Sequence, residues 1–162
     1  MKQYVVRRAE EKDLPGILLI YAAARRFMRD HGNPGQWTGG YPQAELLHSD
    51  LEKGALMVVL ENNIIRGVFY FAVEEDPTYH RIDDGSWLSD ASYGVIHRIA
   101  SDGSGGIFAA ALAFAESQIK HLRIDTHHDN SVMQHVVEKN GFQRRGIIYV
   151  ADGSPRIAYE KI

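Results

Sequence analysis

Cysteine is absent from the 162 residues. That excludes disulfide frameworks, thiol nucleophiles and cysteine-type zinc sites, and it fits a cytoplasmic protein. No run of about 18 apolar residues occurs, so no membrane span is expected. The opening MKQYVVRRAEEKD is charged and then β-like. It lacks an apolar signal-peptide core, which predicts no secretion. There is no basic stripe. Lys and Arg number 18 against 21 Asp and Glu, for a net charge of −3, which argues against nucleic acid as a partner. Repeats, low-complexity tracts and linkers are missing as well.

What remains is an ordinary globular composition. Apolar residues make up 44% and charged residues 24%, close to the average, so disorder and fibrous classes are excluded. The length predicts one domain, able to bury roughly 68–70% of its unfolded surface.

Residues Tyr4–Arg7 read as a short strand. A helix follows, with Asp13 as its N-cap and Pro15 in the first turn. Leu14, Ile17, Leu18, Tyr21 and Met28 recur at helical spacing, and His31-Gly32-Asn33-Pro34-Gly35 ends it. After a loop carrying Trp37 and Tyr41, Ala44–Lys53 suggests a second helix. Leu56–Leu60 and Ile64–Val73 read as a hairpin around Asn62-Asn63, since Asn tolerates positive φ. A loop leads to a fourth strand, Tyr93–Ala100, then a tight turn, a helix over Ile107–Ile119 and a strand over Leu122–Thr126. A helix from about Ser131 to Lys139 has capping-box spacing at Ser131 and Gln134. Phe142–Val150 and Arg156–Lys161 are the last strands. The order β-α-α-β-β-β-α-β-α-β-β implies a mixed sheet with helices on both faces, an α+β arrangement.

The most informative stretch is Ile99-Ala100-Ser101-Asp102-Gly103-Ser104-Gly105-Gly106-Ile107-Phe108. A strand ends, glycines turn the chain and a helix begins. Backbone N–H groups and the helix dipole converge there, which suits a phosphate or pyrophosphate. The alternative is a plain turn. The spacing fits neither G-x-G-x-x-G nor a G-K-[ST] loop. A second stretch, Arg123 to Phe142, runs strand, polar turn with Asn130, short helix, then Gly141-Phe142.

Together these resemble the GCN5-related N-acetyltransferase (GNAT) superfamily. Its cofactor-proximal half has an Asn, a short helix and then Gly-Phe, and its pyrophosphate loop precedes a helix. The element order agrees over essentially the whole chain. Gly39-Gly40-Tyr41-Pro42, Asp76-Pro77-Thr78-Tyr79 and Ile96-His97-Arg98-Ile99-Ala100-Ser101 further resemble a group of uncharacterised bacterial acetyltransferases. The resemblance implies one domain over 1–162, with a mostly antiparallel central sheet of about seven strands and about four helices. It implies acetyl-CoA as acetyl donor, bound by Ile99, Ser101, Gly103, Ser104, Gly105, Gly106, Ile107, Phe108 and Asn130. The acceptor would be a small-molecule or peptide amine attacking directly in a ternary complex. A homodimer is open. Two features depart from the superfamily's pattern. Ser101 and Ser104 stand where the loop usually has Gln or Arg and then Gly. Val137 stands where many members place a general-acid Tyr. These keep a second reading open, an acyl-CoA-binding regulatory module with little turnover.

An amine of the lysine type has a reference pKa near 10.4, so a base or a desolvating pocket helps it attack. Alternation along the fourth strand puts Tyr93, Val95, His97 and Ile99 on one face. His97 then lies a few residues before the glycine turn and suits a general base. The alternative is a buried structural histidine, with Glu74 and Glu75 as other bases. The resemblance adds a backbone N–H near Ile99 that polarises the carbonyl. Tyr149 and Tyr159 are candidates to protonate the thiolate or to pack. Trp37 and Tyr41 would cover the acceptor site as a lid, or anchor their loop on the core. His121, His127, His128 and His135 lack metal-site spacing. His127 and His128, adjacent between strand and turn, are expected to point apart, and no metal is expected.

Overall fold

The computed structural model describes residues 2–162. Strands β1 (Val5–Arg8), β2 (Leu56–Glu61), β3 (Ile64–Val73), β4 (Gly94–Ser101), β5 (Leu122–Thr126), β6 (Gln143–Tyr149) and β7 (Pro155–Lys161) form one sheet. Its seven strands lie in the order β1-β2-β3-β4-β5-β7-β6. Only β4 and β5 pair in parallel, and only through Gly94↔Leu122 and Val95↔Arg123. Beyond these two pairs the ladder stops and the two strands part.

Helices α1 (Leu14–Asp30) and α2 (Ala44–Glu52) cover one face, and α3 (Ile107–Gln118) and α4 (Ser131–Lys139) the other. The alternation of the sheet explains this division. Leu56, Val58 and Val68 pack with Ile17, Tyr21 and Leu47. Met57, Val59, Phe69 and Phe71 pack with Ile107, Ala111 and Ala115. Gly67 allows the start of α3 to sit close to β3, since a Cβ there would lie 2.5 Å from Ile107 Cγ2. The β2–β3 turn has both Asn62 and Asn63 at positive φ, as their type requires. Among the described residues no helix is long and apolar enough to cross a membrane.

Several local expectations need correction. Asp13 precedes α1 but does not cap it with its side chain. Its carboxylate instead holds Arg7 at 2.7 and 3.1 Å and accepts the Glu10 N–H, because a guanidinium fork is the stronger donor. Asn130, not Ser131, caps α4: its Oδ1 accepts the Met133 N–H at 3.0 Å. Gln134 turns back to the His127 and His128 carbonyls. His127 and His128 do not point apart, since their rings stack with centroids 4.3 Å apart. Both lie beyond the end of β5, where strand alternation no longer applies.

The largest correction falls on β4. Its register with β3 slips between Val68 and Tyr70, so Phe69 faces both Arg98 and Ile99. Arg98 takes up the extra residue with φ +52°, a β-bulge. Ile99 therefore leaves the face of Val95 and His97 and packs toward the α3 side.

Candidate active site

The parting of β4 and β5 opens a groove through the sheet, in two halves. One half is bordered by Ser101, Gly103, Ile107 and Phe108 at the start of α3, and by Phe27 and His31 of the α1 end. The other is bordered by His97, Arg98, Asp76, Asp125, Trp37, Tyr41 and Arg156. Ile99, Asn130, Met133 and Met28 border both, so they line the passage between the halves.

The glycine turn forms the first half. Gly103 and Gly106 have φ of +96° and +85°, values open to Gly at no steric cost. The Ser101 hydroxyl accepts the Gly103 N–H, and the Asp102 carboxylate accepts the Ser104 N–H. The N–H groups of Gly105, Gly106, Ile107, Phe108 and Ala109 have no acceptor among the described residues. A Cβ on Gly103 or Gly105 would meet nothing within 4 Å. Tyr4 braces the turn through a 2.6 Å bond to the Gly105 carbonyl. Open donors at the start of a 12-residue helix fit a pyrophosphate. In the second half, at the end of β5, the Thr126 hydroxyl is buried without a partner. An amide arm threaded between β4 and β5 would supply one. The residues present thus fit coenzyme A.

The second half is built on His97. Its Nε2 lies 2.7 Å from Asp76 Oδ2, and its Nδ1 lies 3.9 Å from Asp125 Oδ2. Asp76 follows β3 and caps a short turn, accepting both the N–H and the hydroxyl of Thr78. Tyr79 donates to Asp125 at 2.7 Å, and burial holds its phenol protonated, far above the ordinary range. Burial pushes the Asp76 carboxyl up. Hydrogen bonds from His97 and Thr78, with the histidine's charge, outweigh that and hold it at about 2. An ionised Asp76 only accepts, so His97 Nε2 carries a proton and the neutral ring keeps its lone pair on Nδ1.

The depressed Asp76 value has a consequence for stability. The folded state binds this proton less readily than the unfolded one, so Asp76 stabilises the fold fully above 3.8 and loses that contribution as pH falls toward about 2. Urea denaturation across that window is expected to show the stability difference between the parent and Asp76→Asn shrinking as pH falls. A constant difference would mean that Asp76 is not held by His97.

Arg98 fixes the bulge from both ends. Its carbonyl accepts the hydroxyl of buried Tyr21 at 2.7 Å. Its guanidinium reaches Asp50 of α2 at 3.1 and 2.7 Å, and lies over the Tyr70 ring at 4.8 Å. Tyr41 adds a contact at 3.3 Å. Trp37 packs edge-on against Tyr21 with centroids 5.6 Å apart, and Asn130 reaches Gln36 at 3.0 Å. The loop bearing Trp37 and Tyr41 is therefore anchored to the core and to α4 while lining the groove.

Other candidates lie elsewhere. Tyr149 is not brought to the groove: its hydroxyl donates to Asp83, under Arg81. Tyr159 is buried and donates to Glu138. Glu74 holds Tyr70 and Lys53, and Glu75 is exposed beside His80. His121 sits in a buried network with Glu160 and Arg123 that also takes the Leu88 N–H. His127, His128 and Asp129 lie close enough to share an ion, but no further feature points to one. Asp76, Asp125, Arg98 and Asp50 were not singled out from sequence. Asp76 and Asp125 stand 49 positions apart and meet only through the sheet. The Asp76-Pro77-Thr78 turn was the one local signal.

No family model and no curated protein sequence matches the chain. Solved structures do. An acetyltransferase of the GNAT family from Streptococcus agalactiae is 29% identical, with a TM-score of 0.82 over 100% of this chain and 97% of its own. GNAT-family acetyltransferases from Listeria monocytogenes and Bacillus cereus share the fold. They are 18% and 21% identical, with TM-scores of 0.72 and 0.62. Each is matched over 98% of this chain, and over 94% and 96% of its own length. With its whole length matched in this way, the chain has the fold of the GCN5-related N-acetyltransferase superfamily, and the 29% identity to a family acetyltransferase supports its place there.

Proposed function

We propose that the protein is an N-acetyltransferase that moves the acetyl group of acetyl-CoA to a primary amine by direct attack in a ternary complex. The observation that carries this reading is the placement of His97, between two carboxylates, in a groove continuous with the open N–H groups before α3. Bound acetyl-CoA supplies an acetyl thioester. The turn at Gly103–Gly106 and the first N–H groups of α3 hold its pyrophosphate, and Asn130 and Thr126 border its arm. Ile99, the residue after the bulge, offers its N–H toward the carbonyl.

The amine enters from the side of Trp37 and Tyr41. Because His97 Nδ1 and Asp125 Oδ2 are 3.9 Å apart, less than two hydrogen-bond lengths, one nitrogen atom can reach both. Asp76 and Asp125 favour a cationic group there. As the nitrogen forms its bond to the carbonyl carbon, Nδ1 takes its proton and Asp76 steadies the resulting imidazolium. The C–S bond breaks and the thiolate departs. The same reading places the protein in the cytoplasm.

Thiol release from acetyl-CoA, measured over a panel of amines, tests the activity. Stabilisation by the cofactor without amine-dependent release would instead make the protein a binding module. Gly106→Asp tests the cofactor site. It puts a carboxylate at the proposed anion site, on a residue type that tolerates positive φ better than most. Coenzyme A is expected to bind at least about 10-fold more weakly, since charge-assisted bonds to phosphate are worth roughly 1.5–3 kcal/mol each. Unchanged affinity in a folded variant, by calorimetry, would move the pyrophosphate elsewhere.

A further inference from the structure

Arg156 opens β7 and is only 8% exposed, yet it makes no ion pair among the described residues. Its one hydrogen bond is from Nη1 to the Pro155 carbonyl. Asp152, on the same hairpin, turns Oδ1 to the Ser154 N–H instead. Burying a guanidinium without a carboxylate is costly, and here the side chain borders the groove. The sheet register places it. Asp125 pairs with Ala158, and Arg156 lies two residues before Ala158 on the same face. Diagonal neighbours of this kind start about 7–8 Å apart. A ligand on this face thus meets Asp76, His97 and Asp125 at one end and, at the other, a guanidinium that borders the groove near Asp152 but makes no ion pair with it.

We propose that Arg156 is the carboxylate anchor of the acceptor site, so that the acceptor is an amine carrying a carboxylate a few bonds away, a free amino acid. This rests on the N-acetyltransferase reading and narrows its substrate class. The planar fork of Arg matches a carboxylate with two parallel bonds. The amine nitrogen then points to His97 and Asp125 at the thioester end.

The test compares free L-amino acids with their carboxamides as acceptors, by thiol release from acetyl-CoA. The pair differs in the charge that Arg156 would read. The parent enzyme is expected to favour an acid over its amide by about 10–100-fold in kcat/KM, mostly through KM. In Arg156→Gln that preference falls to about one. Arg156→Lys keeps the charge without the fork and retains part of it, and it carries the comparison if the Gln variant fails to fold. Equal use of acid and amide by the parent, or a preference that survives Arg156→Gln, overturns the anchor. Calorimetry of the same pairs on the coenzyme A-loaded protein separates the two readings. If no amine is acetylated but acids alone bind and need Arg156, the anchor stands and the transferase reading falls. If acids neither react nor bind, the anchor falls.

Discussion

His97→Gln is expected to lower turnover by about 10²–10⁴-fold, the usual contribution of a positioned general base, with coenzyme A affinity little changed. Gln approximates the size of the ring and offers an N–H toward Asp76, but no basic lone pair. The His97 side chain lies 2.7 Å from Asp76 and lines the groove, so the variant alters proton transfer more than packing. A structural histidine would behave in the opposite way, with a lowered melting temperature and full turnover in the surviving folded protein. Steady-state kinetics and thermal denaturation of this variant decide between them. A fully active His97→Gln enzyme would leave an ordered water or Asp125 as the proton acceptor.

Asp50→Ala is expected to cost about 3 kcal/mol of stability, at the lower end of the range for breaking a buried ion pair from one side. Asp50 is 3% exposed and is the carboxylate partner of Arg98. Removing it leaves a largely buried guanidinium without its carboxylate partner. The Tyr70 ring and the Tyr41 hydroxyl offset part of the loss, which is why the lower end applies. For a chain of this size the melting temperature should fall by roughly 6–12 °C. Arg98 also carries the positive-φ bulge beside Ile99, so the folded fraction should show reduced turnover as well. Asp50→Ala combined with Arg98→Met should be less destabilised than Asp50→Ala alone, because the unpaired charge is gone. Additive losses in this cycle would show that the two residues contribute independently.

Much of the architecture was legible along the chain. Strand β3 and helix α4 were read with the bounds they have, and the Asn62-Asn63 hairpin and the glycine turn stand where turn chemistry puts them. These features depend on neighbours a few residues apart, where periodicity and φ preferences act directly. The placement of His97 on the face of Tyr93 and Val95 was also readable, because alternation holds up to that residue. One position further it fails. Nothing local marks Arg98 as the bulged residue: positive φ on an Arg is strained by itself. It is maintained by Tyr21 from α1 and Asp50 from α2, 77 and 48 positions away.

The sequence by itself determined the order of elements, the alternation that puts His97 on one face, and a glycine turn opening a helix. Each is a consequence of short-range sterics and hydrophobic period. The tertiary structure alone decided which acids surround the histidine, that β4 and β5 part after two residue pairs, and that Arg156 borders the same groove without an ion-pair partner among the described residues. Charge pairing acts through space. Whether a buried charge is satisfied depends on strands that become neighbours only when the sheet closes.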